Sequence, residues 1–113
     1  MLKIYGIRNC DTLKKTLAWF KAHDTEVEFI DYKKQPPDHA LASTFVSALG
    51  WEQVINKRGT TWRKLDDAIK ASINEQSAIQ LMLEQPSIIK RPIIQQDDNF
   101  WVGYDESLFQ SLI

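Results

Sequence analysis

The sequence has one cysteine, Cys10, in 113 residues. A lone thiol cannot close an internal disulfide, so a stapled framework is excluded and any redox cycle must take its second sulfur from another molecule. Histidine is almost as scarce. His23 and His39 stand apart, outside any metal-ligand spacing, and no metal centre is expected. Neither sign of charge is in excess: 14 basic side chains face 15 acidic ones, which leaves no overall field to hold nucleic acid or an anionic membrane. Long apolar runs are missing as well. No stretch approaches the ~20 residues of a membrane span, and no apolar signal core follows Met1, so a cytoplasmic protein without membrane association is expected. No repeat, low-complexity tract or linker divides the chain, and its length fits one domain over residues 1–113.

What is present gathers around Tyr5-Gly6-Ile7-Arg8-Asn9-Cys10-Asp11-Thr12. An apolar run ends, a glycine allows a tight exit, and an amphipathic segment begins at the thiol. The first turn of a helix offers backbone N–H groups without intrahelical partners and the positive end of the peptide dipole, which together favour a thiolate. Lys14, four positions on, and Arg8, two before, are candidate cations for the same sulfur, while Asp11 opposes it. Thr12 and Asn9 could bond the sulfur or cap the helix. The competing reading of Cys10 is a buried small hydrophobe.

Leu2-Lys3-Ile4-Tyr5 reads as a strand, Asp11 to His23 as a helix on Leu13, Leu17 and Phe20, and Glu26 to Asp31 as a second strand. A strand-helix-strand unit of this size implies a parallel pair, with the cysteine loop at the carboxyl edge where such sheets bind ligands. Gln35-Pro36-Pro37-Asp38 breaks the chain. A helix ending at Gly50, short turns near Trp51 and over Trp62 to Ile73, and a helix over Glu75 to Glu84 follow. Ser87 to Ile94 and Phe100 to Val102 read as a hairpin turning through Gln95 to Asn99, and Asp105 caps a last helix. The fold class is α/β: β-α-β (about 1–35), a helical insertion (about 36–85), then β-β-α (about 86–113), a thioredoxin-type layout. The four tryptophans and Met82 are expected to pack, both histidines to lack local partners, and Asp66-Asp67 and Asp97-Asp98 to cap turns or helices.

Three stretches resemble the arsenate-reductase-like ArsC family, and within it the Spx and YffB branch. They are Tyr5 to Lys15, Asn56-Lys57-Arg58-Gly59-Thr60-Thr61-Trp62-Arg63-Lys64-Leu65, and Ile89-Lys90-Arg91-Pro92-Ile93-Ile94 with Val102-Gly103-Tyr104. The resemblance implies a thioredoxin-like fold, Cys10 as nucleophile, Arg91 as an anion-binding residue beside it, and a cis bond at Pro92. The arsenate reductases of the family hold their oxyanion with further arginines, where this chain has Asn56, with Lys57 and Arg58 offset, and Gly103-Tyr104. Spx-type regulators commonly carry a second cysteine where Leu13 stands. The YffB-like branch points to a monothiol reductase with glutathione as co-substrate, no tightly bound cofactor, and an oxidised thiol or oxyanion as the second substrate. The alternatives are a glutathione-dependent arsenate reductase and a non-enzymatic regulator contacting RNA polymerase.

Overall fold

The computed structural model describes residues 1–113. A four-stranded sheet in the order β2-β1-β3-β4 forms its centre. The strands are β1 (Leu2–Gly6), β2 (Val27–Asp31), β3 (Ile93–Gln96) and β4 (Asn99–Val102). β1 and β2 are parallel, in the register Ile4 to Phe29, and α1 (Asp11–Ala22) crosses between them. β3 runs antiparallel to both β1 and β4. Five helices separate β2 from the hairpin: α2 (His39–Leu49), α3 (Trp51–Val54), α4 (Thr60–Arg63), α5 (Asp67–Ala71) and α6 (Glu75–Glu84). α7 (Glu106–Ser111) closes the chain. No helix is long and apolar enough to cross a membrane. These features establish the mixed α/β fold expected from the element order.

Side chains alternate across a strand, so neighbouring positions on β1 serve opposite faces of the sheet. Ile4 faces its partner Ile94 and packs with Leu2, Leu13, Phe20 and Phe109, beneath α1 and α7. Tyr5 faces Ile93 and joins Phe45, Val54, Met82 and Ile89, beneath the intervening helices. The two cores therefore meet at the sheet, and the β1–α1 loop emerges at its carboxyl end. Helix starts follow local chemistry. The Asp38 and Asp105 carboxylates accept the N–H of Leu41 and Leu108, and Asn74 and Ser77 cap α6 reciprocally. Asp66, by contrast, sits before α5 without a capping bond.

The strand expected over Ser87 to Ile94 is shorter and displaced. Pro86–Ile88 form a 3₁₀ turn, Ile89 makes one antiparallel bridge to Ile55, and β3 starts only after Pro92. Proline has no N–H for a sheet ladder, so pairing cannot run through position 92. The hairpin turn is correspondingly tighter, with Asn99 already in β4 and Asp97 at a φ of 55°.

Gly6 also serves a different purpose from the one its position suggests. The left-handed glycines are Gly50 and Gly103, whereas at Gly6 a Cβ would come within 2.8 Å of the Leu13 side chain. The requirement is close approach of the end of β1 to the first turn of α1. Because Leu13 is fully buried, Gly6→Ala is expected to cost about 1–3 kcal/mol by overpacking. Denaturant unfolding reads that cost, and displacement of the first turn of α1 would also raise the midpoint of Cys10 alkylation against pH. Unchanged stability would show that Leu13 rotates aside freely.

Candidate functional site

Cys10 occupies the position just before α1 and is half-buried, with extended backbone angles of −144° and 123°. Serine or aspartate normally stands there and accepts the first free N–H groups of the helix. The neutral thiol closes no capping bond. Its ionised form gains most. Partial burial pushes the thiol pKa up, but the Leu13 N–H, the side chain and charge of Arg91, and the Thr12 N–H bring the net value below the ordinary 9.0. The sulfur thus collects the helix start from its own element and a guanidinium from the segment preceding β3.

Arg91 reaches the thiol because the residues before it are tied down. The Asn56 N–H donates to the Ile88 carbonyl at 2.8 Å, and the Lys90 N–H to the Val54 carbonyl at 2.7 Å, fixing residues 88–90 against the end of α3. From there the Arg91 Nη1 donates to the Ser87 and Ile89 carbonyls at 2.9 and 3.3 Å. The Arg91–Pro92 bond is cis, and the buried Pro92 accepts the Gly103 N–H on its carbonyl at 2.9 Å.

The other expected residues divide. Thr12 acts through its backbone: its N–H faces the sulfur, and its carbonyl accepts the buried Thr16 hydroxyl at 2.8 Å. Asn9 is exposed beside the thiol and caps nothing. The cation that acts on the sulfur is Arg91 rather than Arg8 or Lys14, and the opposition expected from Asp11 is not among the influences on the thiol. The Arg8 guanidinium instead lies 5.0 Å from the Phe29 ring centroid, and Lys14 and Asp11 point to solvent. Lys57 is held between tryptophans, 5.3 Å from the Trp51 ring and 5.5 Å from Trp62. The Asn56 side chain turns back onto its own loop, accepting the Arg58 N–H at 3.1 Å. Lys57 and Arg58 share an open cavity of about 270 Å³ with Asn56 and Lys90, on the segment that leads to Arg91.

Some contributors carried no local signal. Tyr104 packs against the same cluster as Cys10, receives the Lys15 ammonium at 4.4 Å over its ring, and donates its hydroxyl to Glu106 at 2.6 Å. That bond to an anionic acceptor pushes the Tyr104 phenol up to about 12. Glu106→Gln is expected to return it toward 10.0, because a neutral amide no longer opposes the phenolate. An ultraviolet titration of tyrosine ionisation checks this, and an unchanged value would show the pair open in solution. The histidines, expected without partners, have them. His23 stacks on Trp19 at 3.8 Å with Nδ1 at its carbonyl, and His39 Nδ1 meets the Ser43 hydroxyl. Both are exposed, and no group of three or more potential metal ligands forms.

The family model described as ArsC family matches residues 5–112. The solved structure of a YFFB protein is similar at 40% identity and a TM-score of 0.93, over 98% of this chain and 97% of that one. The solution structure of an arsenate reductase (ArsC) related protein from Brucella melitensis is similar at 39% identity and a TM-score of 0.82, over 97% and 92%. The global transcriptional regulator Spx of Streptococcus mutans is 26% identical over 100% of this chain and 83% of its own.

Proposed function

The chain belongs to the ArsC family, and on that premise we propose that it is a monothiol, glutathione-dependent thiol-disulfide reductase with Cys10 as its nucleophile. The observation that carries this reading is a half-exposed lone cysteine whose thiolate is favoured by the start of α1 and by Arg91. The thiolate attacks one sulfur of a glutathione mixed disulfide, the S–S bond breaks, and the released substrate thiolate takes a proton from solvent. A second glutathione, as thiolate, attacks the Cys10–glutathione disulfide. Cys10 thiolate returns and oxidised glutathione leaves, so one free glutathione is oxidised for each substrate sulfur reduced, and the other half of the oxidised glutathione comes from the mixed disulfide. A thiol whose pKa lies near the ambient pH serves both steps, because it is populated as thiolate and still leaves readily. Arg91 supplies a charge suited to a carboxylate of the tripeptide, and Arg8, Asn9, Lys14, Lys57 and Arg58 are surface positions from which the rest of it could be held.

The test is turnover of a small glutathione mixed disulfide by the purified protein with glutathione as reductant, run beside arsenate as the competing substrate. Disulfide reduction that requires Cys10 supports the proposal. Arsenate turnover alone would replace it with the oxyanion reading, which Tyr104 and Asn56 disfavour: Tyr104 is neutral and tied to a carboxylate, and Asn56 is turned into its own loop. The similarity to an Spx regulator, over all of this chain and 83% of that one, favours one second reading, a binding module that contacts RNA polymerase. Pull-down of polymerase that persists in Cys10→Ser, with no turnover in the parent protein, would establish it instead.

A further inference from the structure

Two buried side-chain atoms have no hydrogen-bond partner, the Nε of Arg91 and the hydroxyl of Tyr32. One is an obligate donor and the other can accept. Buried polar groups are normally paired, so two complementary orphans in one region call for an explanation.

The fold places both at the floor of the cysteine loop. The Tyr32 N–H donates to the Gly6 carbonyl at 2.8 Å, which extends the β1–β2 ladder to the point where the loop leaves. Its ring is fully buried in the same cluster as Ile89 and Ile93, which flank Arg91 and Pro92 in the chain. Tyr5, stacked on Tyr32 with ring centroids 6.3 Å apart, donates its hydroxyl to Gln95 at 2.6 Å, whereas the Tyr32 hydroxyl has no partner of either kind. The Arg91 Nη1 is held by two carbonyls and the guanidinium charge acts on the sulfur, while Nε–H remains a buried donor without a partner. The Tyr32 phenol is raised well above 10.0, by burial first and by Tyr5 second, with the charge of Arg91 pulling the other way. It therefore stays protonated and neutral, and the guanidinium is close enough for its charge to be felt.

We propose that Tyr32 is a positioning residue for Arg91: its hydroxyl is the acceptor onto which Arg91 Nε–H closes when the Cys10 thiolate, or a bound carboxylate, draws the guanidinium forward. Tyr32 never touches the reacting sulfur. It sets how far the Arg91 charge extends over Cys10, and so the pH at which that sulfur becomes nucleophilic. The proposal rests on the reading of Cys10 and Arg91 as a reactive pair.

The experiment is the rate of Cys10 alkylation against pH in the whole protein, for the parent, Tyr32→Phe, Arg91→Ala and the double variant. Phenylalanine preserves the packing and removes only the hydroxyl, so thermal unfolding should be unchanged or slightly raised. The alkylation midpoint in Tyr32→Phe should nevertheless rise by about half a pH unit, in the direction of Arg91→Ala, and the double variant should move no further than Arg91→Ala alone. A parent-like midpoint in Tyr32→Phe beside a raised one in Arg91→Ala overturns the proposal and leaves the reactive pair standing. Parent-like midpoints in both overturn the pair as well. Should Tyr32→Phe fail to fold, the Arg91 Nε–H resonance of the unmutated protein decides, assigned by its loss in Arg91→Ala. A downfield shift that develops as Cys10 ionises supports closure onto an acceptor, and a position that stays with the exposed arginines throughout refutes it.

Discussion

Cys10→Ser is expected to bring glutathione-dependent disulfide reduction down to the uncatalysed background, the largest effect of any single substitution in this protein. No other thiol exists to take over. The groups that favour the thiolate cannot rescue serine, because a hydroxyl ionises far outside the reach of two N–H groups and one guanidinium. The fold should survive: serine is a better residue than cysteine before a helix, so the start of α1 is retained or strengthened. The pH dependence of stability gives a second reading of the same site. The thiol pKa is lowered in the folded protein, so thiolate stabilisation is fully present above the ordinary 9.0 and is lost as pH falls through the lowered folded value. Unfolding of the parent and of Cys10→Ser, compared across that window, should therefore show the parent gaining relative stability as pH rises. Turnover by the serine variant at the parent rate would take Cys10 out of the chemistry.

Arg91→Ala is expected to lower turnover at neutral pH roughly 10- to 100-fold, the equivalent of losing one or two charge-assisted hydrogen bonds. Two losses combine. The thiolate loses the cation that acts on it, and the Ser87 and Ile89 carbonyls lose the Nη1 donor that holds the segment before β3. Comparing rates across pH separates them. If Arg91 acts by favouring the thiolate, the deficit shrinks above the ordinary thiol pKa, where the sulfur ionises without help. If it only braces residues 87–89, the deficit persists at every pH and unfolding shows the loss. Arg91→Lys should recover part of the neutral-pH rate, since a lysine restores a point charge but not the planar fork that serves the carbonyls and the sulfur together.

The alternation of Leu2-Lys3-Ile4-Tyr5, the helical spacing of Leu13, Leu17 and Phe20, and the Asp38, Gly50 and Asp105 helix boundaries are instructions carried by near neighbours, so they are legible in the sequence. The cysteine at the mouth of α1 was legible for the same reason, because the helix dipole and the free N–H groups belong to the element that follows it. Ser87 to Ile94 read as a strand through its β-branched content. Its true limits depended on Pro86 starting a 3₁₀ turn and on Pro92 interrupting the ladder.

Which cation reaches the sulfur was not a local matter. Arg8 and Lys14 are the sequence neighbours, yet one lies over Phe29 and the other faces solvent, while Arg91 arrives from the far end of the chain because the Asn56–Ile88 and Lys90–Val54 hydrogen bonds steer it. Lys57 reads as a free basic residue until two tryptophans close around it, and Tyr32 as ordinary core until its hydroxyl is found unpaired in the region of an equally unpaired Arg91 Nε. The sequence by itself determined the elements, the lone nucleophile and the absence of a second thiol, because these follow from composition and from interactions a few residues long. The resemblance puts Arg91 beside Cys10, but only the tertiary structure shows that Arg8 and Lys14 turn elsewhere and what holds Arg91 in place, because electrostatic and hydrogen-bond effects act through space, over distances set by packing and not by separation along the chain.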